Sequence, residues 1–287
     1  MGNYRASPVS FHSVYVGLTL NAKTFMSGKA SVSPCFYSKS IAIGLIAGFG
    51  GGLVSLGGGT LVIPLLMGWV GLPPVAARGT AIVVSIFSAS MGAFIYHQHN
   101  MLDLPVAIWV ALPSLIIAPL AASWSEYWSA ERLKAGFGLV VIAGGILVIS
   151  KDEISTVLIV SDQWQIPYLL TVGMIEGLVA GVIGISGGPI LAPLFVLGMG
   201  MPQQLAQGCS LAARLPAVAS GTWENWRLGN VSTQLIPGLA LGSLSGAWLG
   251  SKTALWLPEH GLRLLFAVLL IVLGLYYLWQ AFFPRQQ

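Results

Sequence analysis

Charge is what this chain has least of. Only 8% of its 287 residues are charged, where an ordinary soluble domain carries about 25%, and 55% are hydrophobic. That balance excludes a soluble globular class and implies an integral membrane protein. Cysteine is nearly missing. Cys35 and Cys209 stand in different regions without CxxC spacing, so neither a disulfide framework nor a zinc site is indicated, and free thiols are expected. Histidine is scarce and peripheral: His12 lies in the N-terminal tail, His97 and His99 close a span, and His260 is in a loop. The GISG run at 184–187 matches the GxSG around a membrane-protease serine, but no mid-span histidine is available as its base, so an enzyme is not expected. No Walker-type GxxxxGK[ST] and no basic cluster occur, which removes nucleotide-driven transport and a nucleic-acid partner. Residues 1–40 carry Arg5, Lys23, Lys29 and Lys39 and no acid, and read as a poorly ordered, basic, cytoplasmic tail, with a transit-like leader as the alternative.

What is present is long apolar sequence, in continuous runs of about 20 residues, the length of a membrane helix and not of a barrel strand. Shifted by 129, the chain repeats itself. Gly44, Gly48, Gly52, Gly58 and Gly59 meet Gly173, Gly177, Gly181, Gly187 and Gly188, and Pro64 and Pro73 meet Pro193 and Pro202. The spacing predicts an all-α polytopic protein with about eight transmembrane segments in two homologous repeats, about 41–150 and 166–283, forming one transporter domain over 41–283 with a linker at 151–165. Each repeat opens with a Gly-broken stretch (41–69, 167–199). Spans near 75–97, 104–123 and 132–150 follow in the first, and 204–226, 233–252 and 261–283 in the second. If the broken stretches cross once, the repeats are parallel; if they turn back as hairpins, the repeats are inverted. The hairpin arrangement gathers Arg78, Arg132, Lys134, Arg227 and Arg285 with the basic tail on one side. Lys151, Lys252 and Arg263 then fall on the other, which favours inversion with a cytoplasmic N-terminus.

The broken stretches look self-defeating. GFGGGLVSLGGGTLVIPLL (48–66) holds seven glycines in an apolar setting, each weakening an exposed helix by roughly 1 kcal/mol. Paired Gly- and Pro-interrupted segments in two halves are a pointer to a transporter's binding site. A helix broken near the midplane frees backbone N–H groups at the start of its second limb, an end that suits an anion. SLGGGT (55–60) and GISGGP (184–189) are therefore expected to face each other. Gly58, Gly59, Gly187 and Gly188 would bring backbone to the ligand, and Ser55, Thr60 and Ser186 would add hydroxyls. The competing reading is that small residues simply let helices pack closely.

Two charges lie deep in predicted spans. Insertion of such a residue at a helix centre costs about 2.5–3.5 kcal/mol, so each is a functional candidate. Arg214 offers a fixed fork for an oxyanion. Glu176 is the candidate for coupling or gating, and a mutually neutralising Arg–Glu pair is the alternative. The repeat mate of Arg214 is Ser85 and that of Glu176 is Ala47. Arg78 reads as an interfacial anchor, and His97 and His99 as a surface pair.

Together, the opening block 48–66, the block PPVAARGTAIVVSIFSASMGAFIYHQHNMLD (73–103) and their degenerate copies in the second half resemble the sulfite exporter TauE/SafE family over 41–283. The resemblance implies a secondary transporter, an exporter of a small sulfur-containing anion (sulfite, sulfoacetate or a related organosulfonate) across the inner membrane. Carried over by position, it places substrate contacts on Gly57 to Thr60, Gly79 to Ala81 (Gly79 and Thr80 among them), Gly187 to Pro189, and Gly208, Cys209 and Ser210. GISGGP against SLGGGT, and GCS against GTA, make the two walls chemically unequal. A transition-metal cation transporter and an uptake transporter for a sulfur oxyanion are the alternatives. No cofactor is implied; the partners expected are the anion and the bilayer, with a homodimer left open.

Overall fold

The structure, a computed structural model, describes residues 34–55, 58–124, 130–151, 159–183 and 187–282. The described residues fold into helices joined by short turns. In chain order these are α1 Pro34–Val54, α2 Gly58–Leu65 with a π-helical turn Leu66–Val70, α3 Pro74–Gln98, α4 Leu104–Trp124 and α5 Ala130–Ile149. The second run is α6 Gln165–Ile183, α7 Gly188–Gly198, α8 Gln203–Ala213, α9 Leu215–Arg227, α10 Ile236–Trp256 and α11 Glu259–Phe282. Four helices among the described residues are long and apolar enough to cross a membrane, those at Tyr37–Val54, Pro74–Gln98, Leu104–Ala121 and Glu259–Phe282. α1 begins at Pro34, ahead of the boundary expected at 41. The remainder of the N-terminal tail, the linker residues 152–158 and Arg285 lie outside the described residues.

The two broken stretches turn back on themselves. Near the start of α6 the Tyr168 hydroxyl donates to the Leu194 carbonyl of α7 at 2.8 Å, and its ring lies against Gly198 at the far end of α7. Glu176, two turns deeper, lies against Gly187 at the head of α7. In the first stretch Gly50 of α1 touches the side chain of Leu61 in α2. Such contacts arise only between antiparallel limbs, so each stretch is a helical hairpin with its break at the inner end.

Outside the hairpins, α1 packs along α10 and α6 along α4, while α5 lies against α11. The close approaches depend on small residues. Gly44 and Gly48 rest on the backbone of Leu239 and Ser243 in α10; Gly173 and Gly177 rest on that of Val110 and Ser114 in α4. A Cβ at any of them would strike a neighbouring helix backbone. These glycines therefore do what small residues do in lipid, letting backbones touch where lipid tails give no hydrophobic drive. The packing reading holds for this set.

Contacts sort the connections into two ends. Ser40 meets Gly238 and Gly79 meets Asn230 at the first end. At the second end Lys151 Nζ donates to the Met201 carbonyl (2.9 Å) and pairs with Glu259 (3.4 Å), and Gln204 Nε2 donates to the Leu257 carbonyl (3.2 Å). One helix departs from its expected form. The span expected over 204–226 breaks at Arg214 into α8 and α9, because Pro216 has no N–H to continue the ladder and its ring crowds the carbonyl four residues back.

Candidate functional site

The inner end of α1 leaves carbonyls without helical partners, and in an apolar core each must find a donor. Ser55 closes the helix at φ 51°, the left-handed region. Its offset mate is Gly184, the residue type that adopts this conformation without penalty. The Ser55 carbonyl accepts from Arg214 Nη1 at 3.0 Å. One turn back the Gly52 carbonyl accepts from Ser251 Oγ at 3.4 Å. The Tyr96 hydroxyl stands 3.2 Å from the same oxygen and 2.7 Å from Gln207 Oε1, and shares its proton between them. Ser55 Oγ donates to Ser210 Oγ at 3.1 Å. The negative end of the α1 dipole thus receives a guanidinium from the other half of the chain.

At the second break, Gly188 is pressed between Arg214 and the Ser55 carbonyl. A Cβ on it would overlap that oxygen and come within 2.5 Å of Arg214 Nη1. Glu176 is 1% exposed, and the Ser114 side chain and the Gly187 backbone are the polar groups beside its carboxylate. Arg214, 0% exposed, is its electrostatic partner. In the first half, the Gly59 amide donates to Ser85 Oγ (3.0 Å), which in turn donates to the Ala81 carbonyl (3.0 Å). Ser85 and Gly59 are the offset mates of Arg214 and Gly188. Each half therefore sets the same position of its third helix against the same glycine of its own break, with a hydroxyl in one case and a guanidinium in the other.

The structure brings together Ser55, Gly187, Gly188, Ser210, Arg214 and Glu176. Gly58 and Thr60 fall in the first turn of α2 beside Gly59; Gly57 and Ser186 lie outside the described residues. Gly79, Thr80, Gly208 and Cys209 are engaged elsewhere. Gly79 abuts the Asn230 carbonyl and Gly208 that of Met101; Thr80 Oγ1 accepts from the Ser232 amide (3.0 Å) and Cys209 Sγ from that of Asp103 (3.3 Å). These four tie the start of a helix to the loop of the opposite half. His97 and His99 are exposed at the end of α3, and no group of metal-ligating side chains occurs among the described residues.

Four participants carry no signal in the sequence. Tyr96 stands beside His97 and reads as part of a helix end, yet it is fully buried. Ser85 reads as a neutral mate of Arg214. Gln203 and Gln207 are uncharged and do not stand out, though their spacing to Ser210 and Arg214 is that of one helix face.

A buried cation and acid beside two helical breaks, in a bundle with lipid-length helices, are features expected of a membrane transporter. The chain belongs to the sulfite exporter TauE/SafE family: residues 40–277 match the model described as "Sulfite exporter TauE/SafE". It is similar to "Probable membrane transporter protein YunE" of Bacillus subtilis, 23% identical over 74% of this chain and 85% of that one. Against "Probable membrane transporter protein MJ0441" of Methanocaldococcus jannaschii the figures are 24%, 83% and 94%. "Sulfite exporter TauE/SafE family protein 3" of Arabidopsis thaliana is 31% identical over 41% of this chain and 24% of its own length. No solved structure matches significantly.

Proposed function

We propose that the chain is a secondary transporter that exports a small sulfur-containing anion (sulfite, sulfoacetate or a related organosulfonate) across the inner membrane. The observation that carries this reading is the fully buried Arg214, held against Ser55 and Gly188 where the two hairpin breaks meet. The anion is bound by the guanidinium together with backbone and hydroxyl groups of the two breaks. Glu176 gates the site or carries a proton. The recurring contacts at an offset of 129 and the two hairpins support inverted repeats, about eight segments when each hairpin is counted once. Rocking of one half against the other alternates access. Arg78, Arg132 and Arg227, exposed at the first end, support a cytoplasmic N-terminus. The membrane potential, negative inside, then drives anions outward.

Ligand-induced stabilisation tests this directly. A ligand at 100 times its Kd raises unfolding free energy by about 2.7 kcal/mol, visible as a raised Tm of detergent-solubilised protein. Sulfite or sulfoacetate is expected to raise it. A rise with cobalt or nickel alone would support the transition-metal reading, and inward flux against the potential would support uptake. Light scattering of the same sample reads monomer against homodimer.

A further inference from the structure

A buried polar stripe runs along α8. Gln203, Gln207, Ser210 and Arg214 succeed one another at i, i+4, i+7 and i+11, which is one face of a helix. All four are 0% exposed. The inner members have the bonds described above, and Gln207 Oε1 faces the Tyr96 hydroxyl. The outer amides are different. Gln207 Nε2, and both Nε2 and Oε1 of Gln203, have no partner among the described residues.

A buried amide without a partner is costly, and more so where no water reaches it. Buried polar groups are almost always satisfied, so each exception asks what satisfies it in another state. The stripe leads from Arg214 to the second end, where Lys151 Nζ sits on the Met201 carbonyl two residues before Gln203 and shares its charge with Glu259. Lys151 thus stands just beyond the outer end of the stripe, the two amides along it and the Arg214 guanidinium at its inner end. The offset mates are Pro74, Arg78, Ala81 and Ser85, of which Pro74 and Arg78 are exposed, so the stripe exists on one side only.

We propose that the Gln203 and Gln207 amides form a second oxyanion subsite, on the route between Arg214 and the Lys151 end. Their N–H donors take up the oxygens of the anion as it leaves the central site, replacing water it cannot otherwise meet. This rests on the anion-transport reading of the preceding subsection.

The test is flux of labelled sulfite in proteoliposomes for wild type, Gln203→Glu, Gln203→Lys and Gln207→Leu, with equilibrium sulfite binding to each in detergent. A like charge on the route repels the anion, so Gln203→Glu is expected to lower flux at least about tenfold while equilibrium binding changes less than about twofold. Gln203→Lys is expected to retain or raise flux at low anion concentration, and Gln207→Leu to lower it with binding kept. Equal losses in the Glu and Lys variants, or wild-type flux in all three, would overturn the subsite and leave the transporter reading intact. Absence of sulfite flux and binding in wild type would overturn both.

Discussion

Arg214 Nη1 donates to the carbonyl of Ser55 at 3.0 Å across 159 residues of sequence, joining the third helix of one half to the broken end of the first helix in the other. The cation therefore has two tasks: it satisfies a stranded carbonyl at the negative end of α1, and it stands at the proposed anion site. Removing it should show both. Arg214→Ala leaves a buried carbonyl unpaired, at a cost of about 1–3 kcal/mol, so its Tm in detergent should fall. Arg214→Lys keeps a cation without the planar fork. It should recover much of the Tm while binding sulfite more weakly than wild type. An Arg214→Ala protein with unchanged Tm would mean that the strap contributes nothing.

Ser55 adopts a left-handed conformation where its mate is glycine. For an L-residue that conformation costs roughly 1–2 kcal/mol, while its Oγ bond to Ser210 returns about 1 kcal/mol. Ser55→Gly should therefore be close to wild type or slightly more stable in thermal unfolding. Ser55→Ala, which keeps the strain and loses the bond, should be the less stable of the two by about 1–2 kcal/mol. The reverse order would contradict the described geometry.

Glycines in this chain have separate tasks, and alanine distinguishes them. At Gly48 and Gly177 a methyl group would meet the backbone of the facing helix, so alanine should destabilise by about 1–3 kcal/mol as overpacking does. At Gly136 in α5 a Cβ would meet nothing, and alanine should be neutral or stabilising by up to about 1 kcal/mol. Melting temperatures of the three variants in one detergent decide it.

Glu176 is buried beside the Ser114 side chain and the Gly187 backbone and faces Arg214. If it carries a proton during transport, Glu176→Gln fixes it in a neutral form. Flux in wild type should then respond to an imposed pH gradient, and flux in Glu176→Gln should not. Equal responses in the two proteins would remove Glu176 from coupling.

Much of this arrangement is legible in the sequence. Helices near 75–97, 104–123, 132–150, 233–252 and 261–283 follow from apolar length, since lipid forces each run into a helix. The 129-residue offset singled out Gly48 and Gly177, and the same offset relates Gly59 to Gly188 in space. It could not separate packing from binding, because a glycine that admits a facing helix and one that admits a ligand look alike in sequence. Arg214 and Glu176 were visible because charge is rare in such spans. The carbonyl strap to Ser55 was not, since it depends on where a helix from the other half ends. Tyr96, Gln203 and Gln207 were missed for a related reason: near a helix end, burial is set by neighbouring elements and not by hydropathy. Thr80 and Cys209 show the converse, looking like site residues by position while their contacts go to loops.

The central claim is that an anion passes a buried arginine at the meeting of two helical breaks. Efflux of labelled sulfite from proteoliposomes containing wild type or Arg214→Gln, with and without an imposed potential, tests it most directly. Potential-driven efflux is expected in wild type, with its loss in the folded variant. No efflux of any sulfur anion, equal efflux from the two proteins, or movement of cobalt or nickel instead, would contradict it.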